Sequence, residues 1–518
     1  MISSPTKSHA AIWIWGLAFC CSVVLVVLAY NMYPVPDGDA IGPVPAIKAY
    51  ATSGILQNNL FLIPSTIDPS GQGRYLAYPP GMPLFFGSLM TIFGAKSIQG
   101  VIISLSLARC ASLFVFTKVI TTELIKQTPK VRPSHTVLAM ALVASNAFFL
   151  FASNGRAEIL AILIITLALW SAACINTKFT RHIIIQICVG LLFPVSIATG
   201  LIGACIYFIY LLFDIRGVQA RIQLSILSVF LCITIFALSY VFVGVPLQDG
   251  IQGIARHASN AVTGYTMELS FSRALGYYRT WLIFGILAVL QFWQQIVKYW
   301  RGNLSFWLDK LPLIISCLAL AIFAYYFGGR FATQHYNLYA FLPIYQLLAF
   351  QLATYASWDT RNFPGYLYKA LLIIAAVLSL LQPIQAIFLF PYYLISGATY
   401  STMKNNFEKV KTGQCHVVYT IGISMLDEKQ SGSIYSLDNN SKVTPTERIK
   451  IDGNKSSCVY AFVQEVNNNS TPPKGMQMVA DYSDRSNYTL ILRKLRLLNS
   501  PKGYSFRAYK GEININQK

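Results

Sequence analysis

Apolar runs of about 17–25 residues recur from Ala11 to about Phe390, each long enough to cross a bilayer as a helix. This feature leaves the chain few folds. In hydrocarbon every backbone N–H and C=O needs an internal partner, so such runs become spanning helices. The spans read as 11–30, 98–122, 136–152, 158–174, 183–198, 199–213, 223–243, 279–297, 311–327, 338–356 and 367–390. They predict an all-α polytopic membrane domain of about 11 transmembrane helices. Ala11–Tyr30 is too long for a signal peptide and lacks a small-residue cleavage site, so it reads as a retained anchor.

After Phe390 the composition turns to Asn, Ser, Lys and Asp, with short alternating stretches at Cys415–Ile423 and Cys458–Val463. Two domains follow: a membrane domain over 1–395, with an outer loop at 31–97, and a small α/β or β-rich extramembrane domain over 396–518. Cys415 and Cys458 are the only cysteines of the tail. In an oxidising compartment they are expected to pair, closing a loop of 44 residues counted inclusively. The other eight lie in or beside apolar spans and show no metal-ligand spacing.

A net charge of +20 invites a nucleic-acid reading. The distribution excludes it, because no basic run interleaves with aromatics. The basic residues instead mark membrane sidedness. With Gly81–Gly94 taken as interfacial or re-entrant, Lys7 and the loops at 118–132, 178–181, 216–221, 298–310 and 361–369 hold about 14 Lys/Arg. The opposite loops hold about six: Lys48, Arg74, Arg156, Arg256, Arg273 and Arg330. The N-terminus is therefore expected in the cytoplasm. The loops at 31–80, 153–158, 244–278 and 328–337, and the C-terminal domain, then share the outer face of a multi-pass membrane, read as a bacterial inner or plasma membrane.

Acid is scarce in the membrane part, with 10 of the 20 Asp+Glu in residues 1–400. Two of those ten, Asp37 and Asp39, stand two residues apart just beyond the first helix, after Pro34 and Pro36. Acids at a membrane boundary are costly to hold and mark function. The pair suits a general base, or a clamp on an acceptor hydroxyl. No cofactor is assigned by the sequence, but a DxD spacing also suits a divalent metal. The competing reading is a solvated turn whose Asp caps the next helix.

Three further clusters lie on the same expected face. Arg74 and Tyr78 precede Pro79-Pro80 and the apolar 81–94 segment, and Arg74 suits a phosphate contact. Arg156 and Glu158 head an outgoing span, Glu158 as a third catalytic acid and Arg156 as a substrate contact; the alternative is an interfacial ion pair or an N-terminal helix charge. Arg330, His335 and Tyr336 share a polar loop that suits a phosphate. In the 244–278 loop, His257, Glu268 and Arg273 show no defined spacing. Arg109, inside an apolar run, is expected to snorkel or to pair within the bundle. No Walker A, GxSxG, HExxH or Rossmann glycine pattern is present.

The order of these pieces resembles the GT-C superfamily of membrane glycosyltransferases, closest to the protein O-mannosyltransferases and the aminoarabinose lipid A transferase. An acidic turn follows the first helix, and Gly54 follows Asp39 by 15 residues. Tyr78-Pro79-Pro80-Gly81-Met82-Pro83-Leu84 opens a segment ending in Phe93-Gly94, then comes Arg156-Ala157-Glu158, then His335-Tyr336 through Leu342-Pro343. Asp-Gly-Asp stands where the family has Asp-Glu, so either Asp is open as the base. Tyr78 stands where the family often has a basic residue. The resemblance covers about residues 10–350. It implies a polyprenyl-phosphate sugar donor, a lipid, glycan or protein acceptor, and inverting transfer at the outer face. The rival reading is a transporter or lipid flippase, which would place ionisable groups midway through spans.

Overall fold

The computed structural model describes residues 7–36, 40, 42–58, 74–127, 133–149, 156, 158–215, 217–264, 340–355, 366, 370, 373–374, 377, 380, 383–384, 386–391, 399–411, 415–419, 421–428, 433–437, 443–445, 457–464, 475–483 and 504–513. It is mostly helical with a small mixed sheet at the C-terminal end. The membrane part comprises α1 (Lys7–Tyr30), α2 (Pro43–Ser53), α3 (Ser88–Ile92), α4 (Ile98–Gln127), α5 (Pro133–Phe148), α6 (Glu158–Cys174), α7 (Lys178–Leu192), α8 (Ile197–Asp214), α9 (Val218–Phe242), α10 (Leu247–Gly264) and α11 (Leu342–Tyr355).

Four described helices are long and apolar enough to cross a membrane: Ser8–Tyr30, Ile98–Lys126, Ile197–Asp214 and Val218–Phe242. Three shorter apolar helices accompany them, at Pro83–Ile92, His135–Phe148 and Glu158–Cys174. The expected count of about 11 is thus reached only in part, and the spans at 279–297 and 311–327 lie outside the described residues. One boundary is corrected. The span expected over 183–198 is α7, which ends at Leu192. Pro194 cannot continue a helix, and Ser196 then caps α8, its Oγ accepting from the Thr199 N–H at 3.3 Å.

The bundle packs by small residues and close contact, as membrane helices do. On α1 the buried positions include Ala10, Ile14, Ala18, Cys21, Leu25 and Leu28, a seam with spacings of three and four. The Cys110 thiol approaches the Ser22 carbonyl at 3.7 Å, and Gln99 Nε2 donates to the Tyr30 carbonyl at 2.6 Å. Helices α1 and α4 therefore run antiparallel. Ser112 meets Thr166 at 3.1 Å and Thr122 meets Cys174 at 3.6 Å, so α4 and α6 run parallel. Gln186 ties α7 to Tyr207 of α8 and to the Leu224 carbonyl of α9, both at 2.7 Å.

These registers decide the path of 81–94. The Gly81 N–H donates to the Pro194 carbonyl at 2.7 Å, at the far end of α7. The segment then makes a wide π-turn over Pro83–Gly87, continues as α3, and delivers the chain to Ile98 beside Tyr30. Both of its ends lie at one end of the bundle, so it does not cross, as the charge pattern requires. Gly81 is needed there because a Cβ would sit 2.5 Å from the Pro194 carbonyl oxygen.

The C-terminal domain begins with α12 (Tyr400–Val410), capped by Thr399. Six strands follow: β1 (His416–Tyr419), β2 (Ser433–Leu437), β3 (Val443–Pro445), β4 (Ser457–Gln464), β5 (Met476–Tyr482) and β6 (Phe506–Ile513). They form one sheet in the order β3-β2-β1-β4-β6-β5. Strand β1 is parallel to both neighbours, and the other pairings are antiparallel. Phe407 of α12 packs on Phe462 of β4, with ring centroids 4.4 Å apart. His416 pairs with Val459, which sets Cys415 across from Cys458, and the expected disulfide is present with a Cα–Cα distance of 4.8 Å.

Candidate active site

The end of the bundle that carries Tyr30 and Ile98 is also where the polar groups gather. Helix α1 ends in a turn whose Met32 has φ 60. Tyr33, Val35 and Pro36 before the acidic pair are buried, as is Ala40 after it. Asp37 and Asp39 themselves lie outside the described residues, as do Arg330, His335 and Tyr336, with Glu268 and Arg273. The α2 helix follows directly, with its Pro43 suited to a helix start.

Arg74 pairs across an isolated antiparallel bridge with Gln57, which holds these two points of the chain together. Its guanidinium lies 3.6 Å from Asp249 Oδ2. Asp249 occupies the first turn of α10, where a carboxylate favours the helix dipole. Tyr78, half exposed, stacks on buried Tyr75 with centroids 5.8 Å apart. Burial, reinforced by the neighbouring Tyr78 hydroxyl, pushes the Tyr75 hydroxyl well above its ordinary pKa.

The α10 helix occupies part of the segment expected as the 244–278 loop. It lies across the end of α9, with Gly250 over the Tyr240 ring and Gly253 over Leu76. A Cβ at Gly253 would meet the Leu76 Cβ at 2.5 Å, so glycine permits this approach. The signal was present: Leu247, Ile251 and Ile254 recur at helical spacing. Nothing local pairs Asp249 with Arg74, 175 positions earlier.

Arg156 and Glu158 do come together. Arg156 Nε lies 3.1 Å from Glu158 Oε2, and Nη2 lies 3.3 Å from Oε1. The two-pronged pair is nearly buried, with side-chain exposures of 6% and 12%. Since Ser112 faces Thr166, Glu158 stands at the level of Ser104, about 9 Å along α4 from Ile98 at 1.5 Å per residue. Arg109 is half-buried further along α4.

The C-terminal domain closes over this same end. Glu428 receives Lys48 of α2 at 3.3 Å, Lys404 of α12 at 3.2 Å, the Tyr400 hydroxyl at 3.2 Å and the Ile98 N–H at 3.4 Å. Its carbonyl also accepts from Lys48. Burial alone would raise the Glu428 carboxyl. Lys404 and Lys48, with the hydrogen bonds, outweigh it and leave the group below its ordinary value. Among the described residues no group of three His, Cys, Asp or Glu could hold a metal ion.

No protein-family model and no curated protein matches the chain. Among solved structures it is similar to the Archaeoglobus fulgidus oligosaccharyltransferase. The apo form aligns at 12% identity and TM-score 0.44, covering 82% of this chain and 64% of that one. The form tethered with an acceptor peptide aligns at 11% and 0.43, covering 82% and 63%. The complex with an inhibitory peptide and a dolichol-phosphate aligns at 11% and 0.42, covering 81% and 64%. The chain therefore spans less than two thirds of the length of that transferase, and the likeness is too loose to carry residue roles across.

Proposed function

We propose that the chain is a membrane glycosyltransferase of the GT-C type, which moves a sugar from a polyprenyl-phosphate donor to an acceptor hydroxyl at the outer face. The observation that carries this reading is the shared end of the bundle. The turn after α1 that precedes Asp37 and Asp39 in sequence, the Arg74 cluster, the Arg156–Glu158 pair and the C-terminal domain all belong to it. A transporter would instead string its ionisable groups along a path through the spans.

In this reading Asp37 or Asp39 takes the proton of the acceptor hydroxyl. The acceptor oxygen attacks the anomeric carbon in line, the bond to the lipid phosphate breaks, and configuration inverts. Guanidinium groups offset the charge on the departing phosphate, for which Arg's fork of donors is well shaped. Arg74 and Arg156 fill that role together with Arg330 and His335, while Tyr78 and Tyr336 line the substrate. Glu158, occupied by Arg156, acts by orienting that guanidinium. A divalent ion on Asp37 and Asp39 would be an alternative aid to the leaving phosphate.

Purified protein incubated with labelled polyprenyl-phosphate sugars tests the reaction. Release of polyprenyl phosphate with label passing to an acceptor or to water is expected. Absence of any label transfer across a panel of sugars, with donor moving between leaflets in vesicles, would establish the transporter reading instead. Single cysteines replacing Leu60, Trp300 and Lys450 test the sidedness. The first and third should react with an impermeant reagent from outside, and the second should be spared.

A further inference from the structure

The bundle holds a second site that this reaction does not use. A cavity of about 330 Å³ opens between α6, α7, α8 and α11, within the size range of ligand pockets. Ile164, Ala168, Val189, Ile206 and Leu347 give it apolar walls. Its lining extends from Phe341, the residue before α11, along that helix to Gln351, about 15 Å at 1.5 Å per residue.

The charge stands at one end only. Glu123 and Asp214 line the cavity together with Tyr210 and Gln351. That end is remote from the candidate active site: Glu123 lies 25 positions after Ile98 on α4, about 38 Å along the helix. Arg181 and His182 both contact Asp214 Oδ2, at 2.7 and 2.9 Å. Among the described residues no hydrogen bond reaches Asp214 Oδ1. Cations rim the same end. Lys178 donates to the Asp214 carbonyl at 3.2 Å, and Lys126 donates to the Ala173 carbonyl.

Carboxylates held half-buried or buried at a membrane boundary are costly and mark a use. An apolar slot with acids at its foot and lysines at its rim matches an amphiphile with two opposite charges in its head. We infer that the cavity binds an acyl chain of a zwitterionic, amine-bearing phospholipid at the end of the bundle opposite the active site. The ammonium would sit on Asp214 Oδ1, beside Glu123, whose Oε2 accepts from Gln351 at 2.8 Å, and the phosphate would face Lys126, Lys178 and Arg181. An anionic phospholipid would meet the same cations through its phosphate but would bring no ammonium to the carboxylates.

The test is native mass spectrometry of the full chain, delipidated and then offered phosphatidylethanolamine or phosphatidylglycerol with identical acyl chains. One phosphatidylethanolamine per chain should be retained, at least tenfold above phosphatidylglycerol. Asp214→Asn should erase that preference while lipid still binds. Ala172→Leu, which fills the slot without touching a charge, should cut retention of both lipids about tenfold. Equal retention of the two lipids by the unsubstituted protein would overturn the inference, as would full retention by Ala172→Leu. If Asp214→Asn does not fold, those two comparisons decide alone.

Discussion

Tyr504 donates its hydroxyl to the Met32 carbonyl at 2.8 Å, across 472 positions of sequence. The bond joins the loop before β6 to the turn that leads from α1 to the acidic pair. The Tyr504 ring also rests on Tyr33 and Tyr400, with centroids 5.6 and 5.2 Å away. The C-terminal domain is thereby fastened to the backbone five residues before Asp37.

Tyr504→Phe keeps those ring contacts and removes only the donor. The buried Met32 carbonyl then lacks this partner, at a cost of about 1–3 kcal/mol. The unfolding midpoint in detergent should fall accordingly. Under the proposed reaction kcat should fall more than donor KM changes. An unchanged midpoint would show that the bond does not fasten the domain.

Asp37→Asn and Asp39→Asn test the base. Loss of a general base costs about 10²–10⁴ in turnover, and the unfolding midpoint should stay close to that of the parent. Near-normal turnover in both single variants and in the double variant rejects the assignment.

Arg74 and Asp249 can be separated. Their 3.6 Å pair is partly exposed, and such pairs contribute about 0–1 kcal/mol. Both Arg74→Ala and Asp249→Asn should therefore fold normally. If Arg74 contacts the donor phosphate, Arg74→Ala should raise donor KM by about tenfold or more, whereas Asp249→Asn should leave it within about twofold. Equal effects would make Arg74 a structural partner of α10.

Glu428 gives the docked domain a pH dependence. Its folded pKa is depressed by Lys404 and Lys48 against the raising effect of burial. The stabilisation is thus present above the unfolded carboxylate value and is lost as pH falls through the folded one. Melting curves from neutral to acid pH should show a falling midpoint in the parent and a flatter profile in Glu428→Gln. Parallel curves would exclude Glu428 as the source.

The Cys415–Cys458 bridge closes the loop between β1 and β4, with a sequence separation of 43. Opening a loop of that size costs about 3–4 kcal/mol by the chain-entropy model. Cys458→Ala should make the tail markedly more sensitive to protease, and non-reduced mass mapping should find neither tail cysteine alkylated in the parent. Two alkylated thiols would refute the pairing.

The sequence alone determined what the bilayer dictates. Runs such as Ala11–Tyr30 and Val218–Phe242 are legible because hydrocarbon thickness sets their length and the lack of water sets their hydropathy, both local properties. The non-crossing course of Gly81–Gly94 was legible too, through the count of basic residues on either side. The tail's two cysteines stood out by being alone in a polar domain. Only the tertiary structure could join Arg74 to Asp249, Lys48 to Glu428, and Tyr504 to Met32. It also set α10 across the end of α9 through Gly250 and Gly253, and decided for the Arg156–Glu158 ion pair that the sequence offered as one of two readings. A hydrogen bond or ion pair depends on which helix ends the packing brings within about 3 Å. That distance follows from helix register, and a single sequence carries no record of it.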